Sequence, residues 1–175
     1  VIFVNEGTEK VVAMSTTQNT NNRGTTTCTT IDGAILETGD IQVVTLEDAV
    51  TKTGSVKGFA FNTGKGYLYS ASSSSNHLRT QATNDDNCIW TISIDESGNA
   101  TIESHGTYTH NLLQYNSSSN IFSSYLNAQQ SVQLYYSPAP AATKCADPTF
   151  LVNEGTYYGF NAQTKEITLS STDGA

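Results

Sequence analysis

Three histidines, His77, His105 and His110, are the first side chains to test for chemistry. A serine-type hydrolase needs a nucleophile, a base and an orienting acid, and no nucleophile-elbow motif surrounds any of the many serines. Glu103 lies near His105 and His110, but strand alternation puts only residues 103 and 105 on one face, because 110 lies beyond a turn. We therefore expect exposed hairpin histidines, no metal site and no catalytic residue.

The acidic residues are tested in the same way. Asp85 and Asp86 are adjacent in the chain, but Ca²⁺ needs six or more oxygen ligands and the glycine-punctuated spacing of a calcium loop is missing. A hydrogen-bonded turn is the favoured interpretation. Glycoside hydrolysis requires two carboxyl groups facing each other across a cleft, and the sequence indicates no such pair. We expect no enzyme activity and no cofactor.

Sugar binding is the chemistry that this polar surface suits best. Aromatic faces hold the C–H groups of a sugar, and planar amides hold its hydroxyls. Two serine-rich loops carry such groups. The candidate ligand-binding residues are Tyr69, Asn76 and His77 in one loop, and Tyr115, Asn116, Asn120 and Tyr125 in the other.

A packing role is the alternative for both loops. The tyrosines would then pack at the rim of the fold, and the asparagines would satisfy tight turns. Exposed rings favour binding, and buried rings favour packing. If the loops bind sugar, Tyr115→Ala should weaken retention on a polysaccharide matrix without lowering thermal stability.

The composition indicates strands as the elements that position these residues. Hydrophobic residues make up 37% of the chain and charged residues 14%. Thr, Ser and Asn, which favour strands, turns and caps, supply about a third of the chain and exclude a helical bundle. Eight basic against 16 acidic residues give a net charge of −8, which excludes an ordinary nucleic-acid binder. Only residues 46–50 are predicted to form a helical turn.

An internal repeat indicates how the strands are organised. Residues 66–78 resemble residues 111–122, with Leu68 mapping to Leu113 at an offset of 45. Asn76 then maps to Asn120, Leu78 to Phe122 and Trp90 to Leu134, all at an offset of 44. Each copy closes on a strand with alternating apolar residues. A fainter first copy begins at Lys10 and closes over residues 41–46.

Three such units predict an all-β fold, a β-trefoil-like barrel of three pseudo-repeats. One unit cannot bury its apolar face or hide its strand edges, whereas three can close a barrel and cap it. A β-sandwich and an up-and-down barrel are the alternatives. The predicted core consists of Val12, Phe61, Leu68, Leu78, Trp90, Ile92, Leu113, Phe122 and Leu134.

The chain is predicted to contain one module and the start of another. Two prolines within three residues indicate a Pro/Ala linker at 138–144, after a module at 1–137 and before a segment at 145–175. Cys28, Cys88 and Cys145 are widely spaced, which favours buried free thiols, while a Cys28–Cys88 bridge stays open.

The first module resembles a known family at residues 66–78, 83–87, 89–92 and 113–119. These segments look like a module common in secreted multidomain proteins of Bacteroides-type gut bacteria, where it accompanies extracellular nucleases, peptidases and adhesion-type repeats. That resemblance implies an accessory or binding module without catalytic residues of its own.

The tail is similar to a second family. Residues 145–150, 155–157, 167–169 and 172–175 resemble the first strands of the immunoglobulin-like domain at the C-terminus of chitobiase-type enzymes. That domain has several more strands, so the resemblance implies a truncated immunoglobulin-like segment.

Together these observations predict a non-catalytic accessory module that binds carbohydrate or another polar polymer for a larger protein. A ligand-free spacer and a protein–protein adhesion module are the alternatives. We expect an extracellular or cell-surface location; both ends read as cut from a longer chain, so the absence of a signal peptide from this fragment is uninformative. No apolar run approaches the roughly 18 residues of a membrane helix, so we expect no membrane insertion.

Overall fold

A computed structural model describes residues 1–7, 10–31, 34–35 and 40–135, and the backbone of three strands between residues 151 and 171. The chain divides into two compact units, Val1–Tyr136 and Ser137–Ala175. This division lies next to the module end predicted at residue 137. The predicted linker, 138–144, and Cys145 lie outside the described residues.

The first unit is all-β and its strand pairs are antiparallel. A 3-10 turn at Asp86–Cys88 separates the ninth strand from the tenth. The strands are β1 (Ile2–Glu6), β2 (Val11–Gln18), β3 (Arg23–Thr27), β4 (Thr30–Ile31), β5 (Ala34–Ile35), β6 (Thr45–Val50), β7 (Lys57–Asn62), β8 (Tyr67–Ser70), β9 (Leu78–Gln81), β10 (Ile89–Ile94), β11 (Ala100–Ser104), β12 (Leu112–Asn116), β13 (Ile121–Tyr125) and β14 (Gln133–Tyr135).

Six of these strands are joined into a closed ring in the order β1, β6, β7, β10, β11, β14. Regular pairing joins β6 to β7, β7 to β10, β10 to β11, and β14 to β1. Two short contacts complete the ring. Val44, before β6, donates its N–H to the carbonyl of Val1 at 2.8 Å, and Ala100 of β11 donates to the carbonyl of Val132 at 2.7 Å.

Three hairpins extend from the ring: β2–β3, β8–β9 and β12–β13. They contact one another in pairs. Phe122 of β13 pairs with Arg23 of β3, and Leu78 of β9 donates its N–H to the carbonyl of Asn21 at 2.8 Å. Ser70 of β8 donates its hydroxyl to that of Ser124 in β13 at 3.0 Å. Loops of different repeats are thereby brought together at this end of the unit.

The core lies between the ring and the hairpins. Phe61 stacks on Trp90 with ring centroids 5.4 Å apart, and Trp90 donates its indole N–H to the carbonyl of Leu68 at 3.1 Å. Seven of the nine predicted core residues are buried; Ile92 and Leu134 are half-buried and pack against the core. Each large apolar side chain removed from water contributes roughly 2 kcal/mol to stability.

The strand register corrects one pair of equivalent residues in the sequence repeat, Trp90 and Leu134. Leu46, Ile92 and Leu134 stand opposite Phe61, Ile102 and Phe3 in the neighbouring strands. Leu134 is therefore equivalent to Ile92, and the equivalent of Trp90 is the buried Val132 rather than Leu134. The error of two residues leaves the predicted inward face unchanged, because side chains alternate with a period of two.

The helical turn predicted at residues 46–50 is wrong. These residues belong to β6, which pairs with β7 along its full length, from Thr45 opposite Asn62 to Val50 opposite Lys57. Local helix propensity is weak for a five-residue segment, and cross-strand pairing overrides it.

The turn between β10 and β11 depends on one carboxylate. Asp95 accepts hydrogen bonds from the backbone N–H groups of Ser97 and Asn99, both at 2.9 Å. The hydrogen bonds from Asn99 are the main reason why the pKa of Asp95 is lowered. A lowered folded-state pKa gives stability that is present above the unfolded value of about 4 and is lost as pH falls through the folded value.

Asp95→Asn should therefore lower the Tm at pH 7, and the difference from the wild type should shrink as the pH falls below about 4. Melting curves followed by circular dichroism between pH 7 and pH 2 measure this difference. The control Glu96→Gln removes the same charge from the adjacent exposed residue. A Tm difference for Asp95→Asn that is independent of pH would contradict the role of its charge.

The second unit contains three described strands, β15 (Leu151–Asn153), β16 (Thr156–Asn161) and β17 (Glu166–Ser171). They form an antiparallel sheet in chain order, with β16 between the other two. The segment is therefore β-structured, as the sequence predicted for residues 145–175. Residues 145–150 and 172–175 of the resemblance lie outside the described residues.

Candidate functional site

The seven candidate residues lie on two of the three hairpins. Tyr69 is in β8, and Asn76 and His77 are in the loop that leads to β9. The other four belong to the β12–β13 hairpin: Tyr115, Asn116, Asn120 and Tyr125. The tyrosines of the two hairpins differ in burial, because Tyr69 is half-buried whereas Tyr115 and Tyr125 are buried.

Tyr115 is a core residue. Its side chain is 2% exposed, and its ring lies against that of Phe122 with centroids 5.3 Å apart. Its hydroxyl donates to Oδ1 of Asn120 at 2.9 Å, and burial raises the pKa of Tyr115. No face of this ring is free to stack on a sugar, so the position favours packing and corrects the expectation of an exposed loop tyrosine.

The remaining candidates of this hairpin also have structural roles. Asn116 accepts the backbone N–H of Ser119 through Oδ1 at 2.9 Å, which closes the turn. Asn120 has a φ of 52°, a left-handed conformation that asparagine tolerates better than most residues. Tyr125 is 3% exposed, and burial raises its pKa. The buried ring of Tyr125 again favours packing.

The tyrosines of the β8–β9 hairpin are half-buried. Leu68 and Ser70 are buried, so the intervening Tyr69 and the preceding Tyr67 point to the opposite, half-buried side. Arg79 stands opposite Tyr69, and Gln81 stands opposite Tyr67. We name the outward side chains Tyr67, Tyr69, His77, Arg79 and Gln81 the β8–β9 face.

Two residues of this face are held by neighbouring repeats. Tyr67 donates its hydroxyl to Oε2 of Glu47 at 3.0 Å, and that hydrogen bond is the first cause of the raised pKa of Tyr67. Arg79 donates Nε to Oδ1 of Asn21 at 3.1 Å, and its Nη2 contacts the same oxygen. The face is thereby oriented by β6 on one side and by the β2–β3 hairpin on the other.

His77 and Asn76 lie at the edge of the face, against the loop before β12. Asn76 Oδ1 is 2.8 Å from Nδ1 of His110, and its backbone carbonyl accepts the hydroxyl of Ser123 at 2.7 Å. The pKa of His77 is lowered by partial burial and then by the positive charges of Arg79 and His110. His77 is therefore largely neutral at pH 7.

Sequence reasoning missed Arg79 and Tyr67, and it considered His110 only as a metal ligand. The signal for Arg79 was available, because alternation from the buried Leu78 puts residues 77, 79 and 81 on one side of β9. The contact of His110 with Asn76 joins loops 34 residues apart in sequence, and no local pattern could have indicated it.

The other polar groups tested from the sequence make structural contacts. His105 Nε2 lies 2.7 Å from the hydroxyl of Thr91. Asp85 accepts the N–H of Asn87, and Asp86 accepts the N–H of Lys52, both at 3.0 Å. In the part of the chain that the structure describes, no group of three or more His, Cys, Asp or Glu side chains is arranged to hold a metal ion.

Both described cysteines are free and buried, which corrects the open possibility of a Cys28–Cys88 bridge. Cys28 packs beside Ile2 and Val4, and Cys88 is the last residue of the 3-10 turn. Burial raises the pKa of Cys88 to about 11, so this thiol stays protonated at neutral pH. The structure thus favours the interpretation of buried free thiols.

Comparison with known proteins gives no indication of the function of this chain. No protein-family model, no curated protein and no solved structure matches the chain. Among the described residues, no helix is long and apolar enough to cross a membrane. The β8–β9 face contains two of the sequence-predicted candidates, Tyr69 and His77, and it is the candidate functional site because the candidate rings of the other hairpin, Tyr115 and Tyr125, are buried.

Proposed function

We propose that residues 1–137 form a non-catalytic accessory module that binds carbohydrate through the β8–β9 face, as part of a secreted or cell-surface bacterial protein. The observation that supports this proposal best is the outward ring of Tyr69, opposite Arg79 in the register of the hairpin. An aromatic face beside planar, hydrogen-bonding side chains is the combination that sugar rings require.

We further propose that the module is a β-trefoil. The closed ring of six strands and the three hairpins are what three four-stranded units around a pseudo-threefold axis would give. Contacts between strands that are not consecutive, such as β7 with β10 and β11 with the residue before β14, are foreign to an up-and-down barrel. The three-stranded sheet of the second unit supports the proposal of an immunoglobulin-like segment, with further domains flanking it in a larger protein.

The proposed site is single rather than threefold, because the strands of the β2–β3 hairpin contain no aromatic residue and the β12–β13 hairpin has none at the position of Tyr69. At the repeat offset of 45, Tyr69 corresponds to Gln114, so the β12–β13 hairpin offers no aromatic ring at the equivalent position. The burial of Tyr115 and Tyr125 removes the other candidate rings. Binding therefore depends on one hairpin and gains nothing from multivalency within the module.

A ligand-free spacer is the second candidate function. The specific observation in its favour is that Tyr115, Asn116 and Asn120 stabilise their own hairpin. If the β8–β9 face has the same purpose, its side chains serve only to join the repeats.

Tyr69→Ala should weaken retention on a polysaccharide that the wild type binds by about tenfold, because one stacking contact is worth about 1 kcal/mol or slightly more. The free energy of unfolding should change by about 1 kcal/mol or less, since Tyr69 is half-buried. Affinity electrophoresis through gels containing neutral and acidic polysaccharides measures retention, and urea unfolding measures stability.

Gln114→Ala is the matched control, because it changes the equivalent position of the other hairpin. Its retention should equal that of the wild type. A wild-type module that is retained on no polysaccharide would overturn the binding proposal and favour the spacer. Equal losses for Tyr69→Ala and Gln114→Ala would contradict the location of the site.

A further inference from the structure

The β8–β9 face contains one arginine, Arg79, in a chain whose net charge is −8. Arg79 and His77 belong to the face, and His110 lies at its edge through its contact with Asn76. The carboxylate of Glu47 accepts a hydrogen bond from Tyr67 of the face, whereas the acceptor for Arg79 is the amide oxygen of Asn21. The positive charge of Arg79 therefore has no carboxylate partner among the described residues.

The guanidinium of Arg79 is oriented by an uncharged partner. Nε and Nη2 both donate to Oδ1 of Asn21, and Nη1 makes no hydrogen bond to the described residues. An amide oxygen fixes the direction of the side chain but leaves its charge uncompensated. An arginine held in this way is ready to receive a planar carboxylate, whose geometry matches the guanidinium fork.

Tyr69 and Arg79 are cross-strand partners on the outer side of the hairpin. Side chains of directly opposed residues lie about 5 Å apart at Cβ, which is the width of one sugar ring. A pyranose that stacks on Tyr69 therefore brings a substituent at its ring edge within reach of Arg79.

We infer that the ligand of this site is an acidic sugar, a uronic acid residue whose ring stacks on Tyr69 and whose carboxylate binds Arg79. This inference rests on the proposed carbohydrate-binding function and specifies its ligand class. The negative charge of the rest of the module repels a polyanion only weakly at distances beyond the Debye length of about 8 Å at physiological ionic strength.

The experiment compares acidic polymers with their neutral forms on the intact chain. The probes are polygalacturonate, alginate and hyaluronate, each with its fully methyl-esterified form. At physiological ionic strength the wild type should bind at least one acidic polymer roughly tenfold more tightly than its ester, because hydrogen bonds to charged groups are stronger than those to neutral groups. Salt at 0.5 M, roughly three times the physiological concentration, should reduce that difference.

Arg79→Gln should abolish the preference for the acidic form, so that acid and ester are bound with similar affinity. Arg79→Lys keeps the charge without the fork and should retain part of the preference. Lys57→Gln is the matched control. Lys57 is exposed at the start of β7, whereas Asn62, at the other end of that strand, pairs with Tyr67 of β8. Circular dichroism checks the fold of every variant.

Two further outcomes separate the inference from the function on which it rests. Binding of neutral glycans or esters as tightly as of the acidic polymers would overturn the inference and leave the carbohydrate-binding proposal standing. Failure of the wild type to bind any acidic or neutral polysaccharide would overturn both. The comparison of acid with ester in the wild type needs no variant, so a poorly folded Arg79→Gln protein does not affect it.

Discussion

Replacing Tyr115 by alanine should lower the free energy of unfolding by about 3–5 kcal/mol, the usual cost of truncating a buried aromatic side chain. The ring is 2% exposed and packs against Phe122, so its removal leaves a cavity between the hairpin and the core. The hydroxyl of Tyr115 is also the donor to Asn120 at the left-handed residue of the turn. This expected result reverses the sequence-based prediction that Tyr115→Ala leaves thermal stability unchanged.

Two control variants distinguish the contribution of the Tyr115 ring to stability from that of its hydroxyl and from that of an adjacent residue. Tyr115→Phe removes only the hydrogen bond to Asn120 and should cost about 1 kcal/mol. Gln114→Ala changes the adjacent half-buried residue and should cost less than about 1 kcal/mol. Urea unfolding of the three variants measures the series. Equal small losses for Tyr115→Ala and Gln114→Ala would contradict the packing of Tyr115 in the core.

The strands and most of the core were predictable because both follow from the alternation of apolar and polar residues along the sequence. Trp90 and Ile92 alternate with polar residues in the sequence, and the structure puts them in β10 with Trp90 buried. Leu68 and Leu113 were aligned by the repeat, and both are fully buried at equivalent places in β8 and β12. An alternating strand in a closed fold has only one way to bury its apolar residues.

The alternation of inward and outward side chains, applied strictly, would have assigned Tyr69 and Tyr115 to opposite faces of their strands. Tyr115 lies two residues after the buried Leu113 and therefore shares its inward face, whereas Tyr69 lies one residue after Leu68 and points outward. Sequence reasoning grouped Tyr69 with Tyr115 because both precede a serine-rich loop. Position relative to the core residue, rather than to the loop, decides which ring a ligand can reach.

Contacts between repeats could not be predicted from the sequence. Arg79 meets Asn21 across 58 residues, and the pairing depends on which hairpins become neighbours when the ring closes. Arg23 is 3% exposed and donates Nη2 to Gln42 at 2.6 Å and to the carbonyl of Ser15 at 3.0 Å. A charged residue at an interior position contradicts the apolar pattern on which core prediction depends, so only the assembled hairpins reveal its partners.

Gly58→Ala should cost about 3 kcal/mol, the upper end of the range for overpacking. A Cβ at residue 58 would lie 2.3 Å from the carbonyl oxygen of Trp90 and 3.0 Å from its carbonyl carbon. Both atoms belong to the backbone of β10, so no side chain can rotate away, and the strand itself has to move. That movement disturbs the short β7–β10 pairing, which consists of Ala60 with Ile89 and Phe59 with Trp90.

Gly54→Ala is the matched control for this prediction. Gly54 has a φ of 70° with no atom within 4 Å of a Cβ, so alanine there meets only the left-handed strain of about 1 kcal/mol. Trp90 is the single tryptophan of the chain, and its fluorescence reports urea unfolding and the displacement of β10 directly. Gly58→Ala should shift the native emission to longer wavelength, whereas Gly54→Ala should not. Equal destabilisation by the two variants, with unchanged emission, would contradict the close approach of β7 and β10 on which closure of the ring depends.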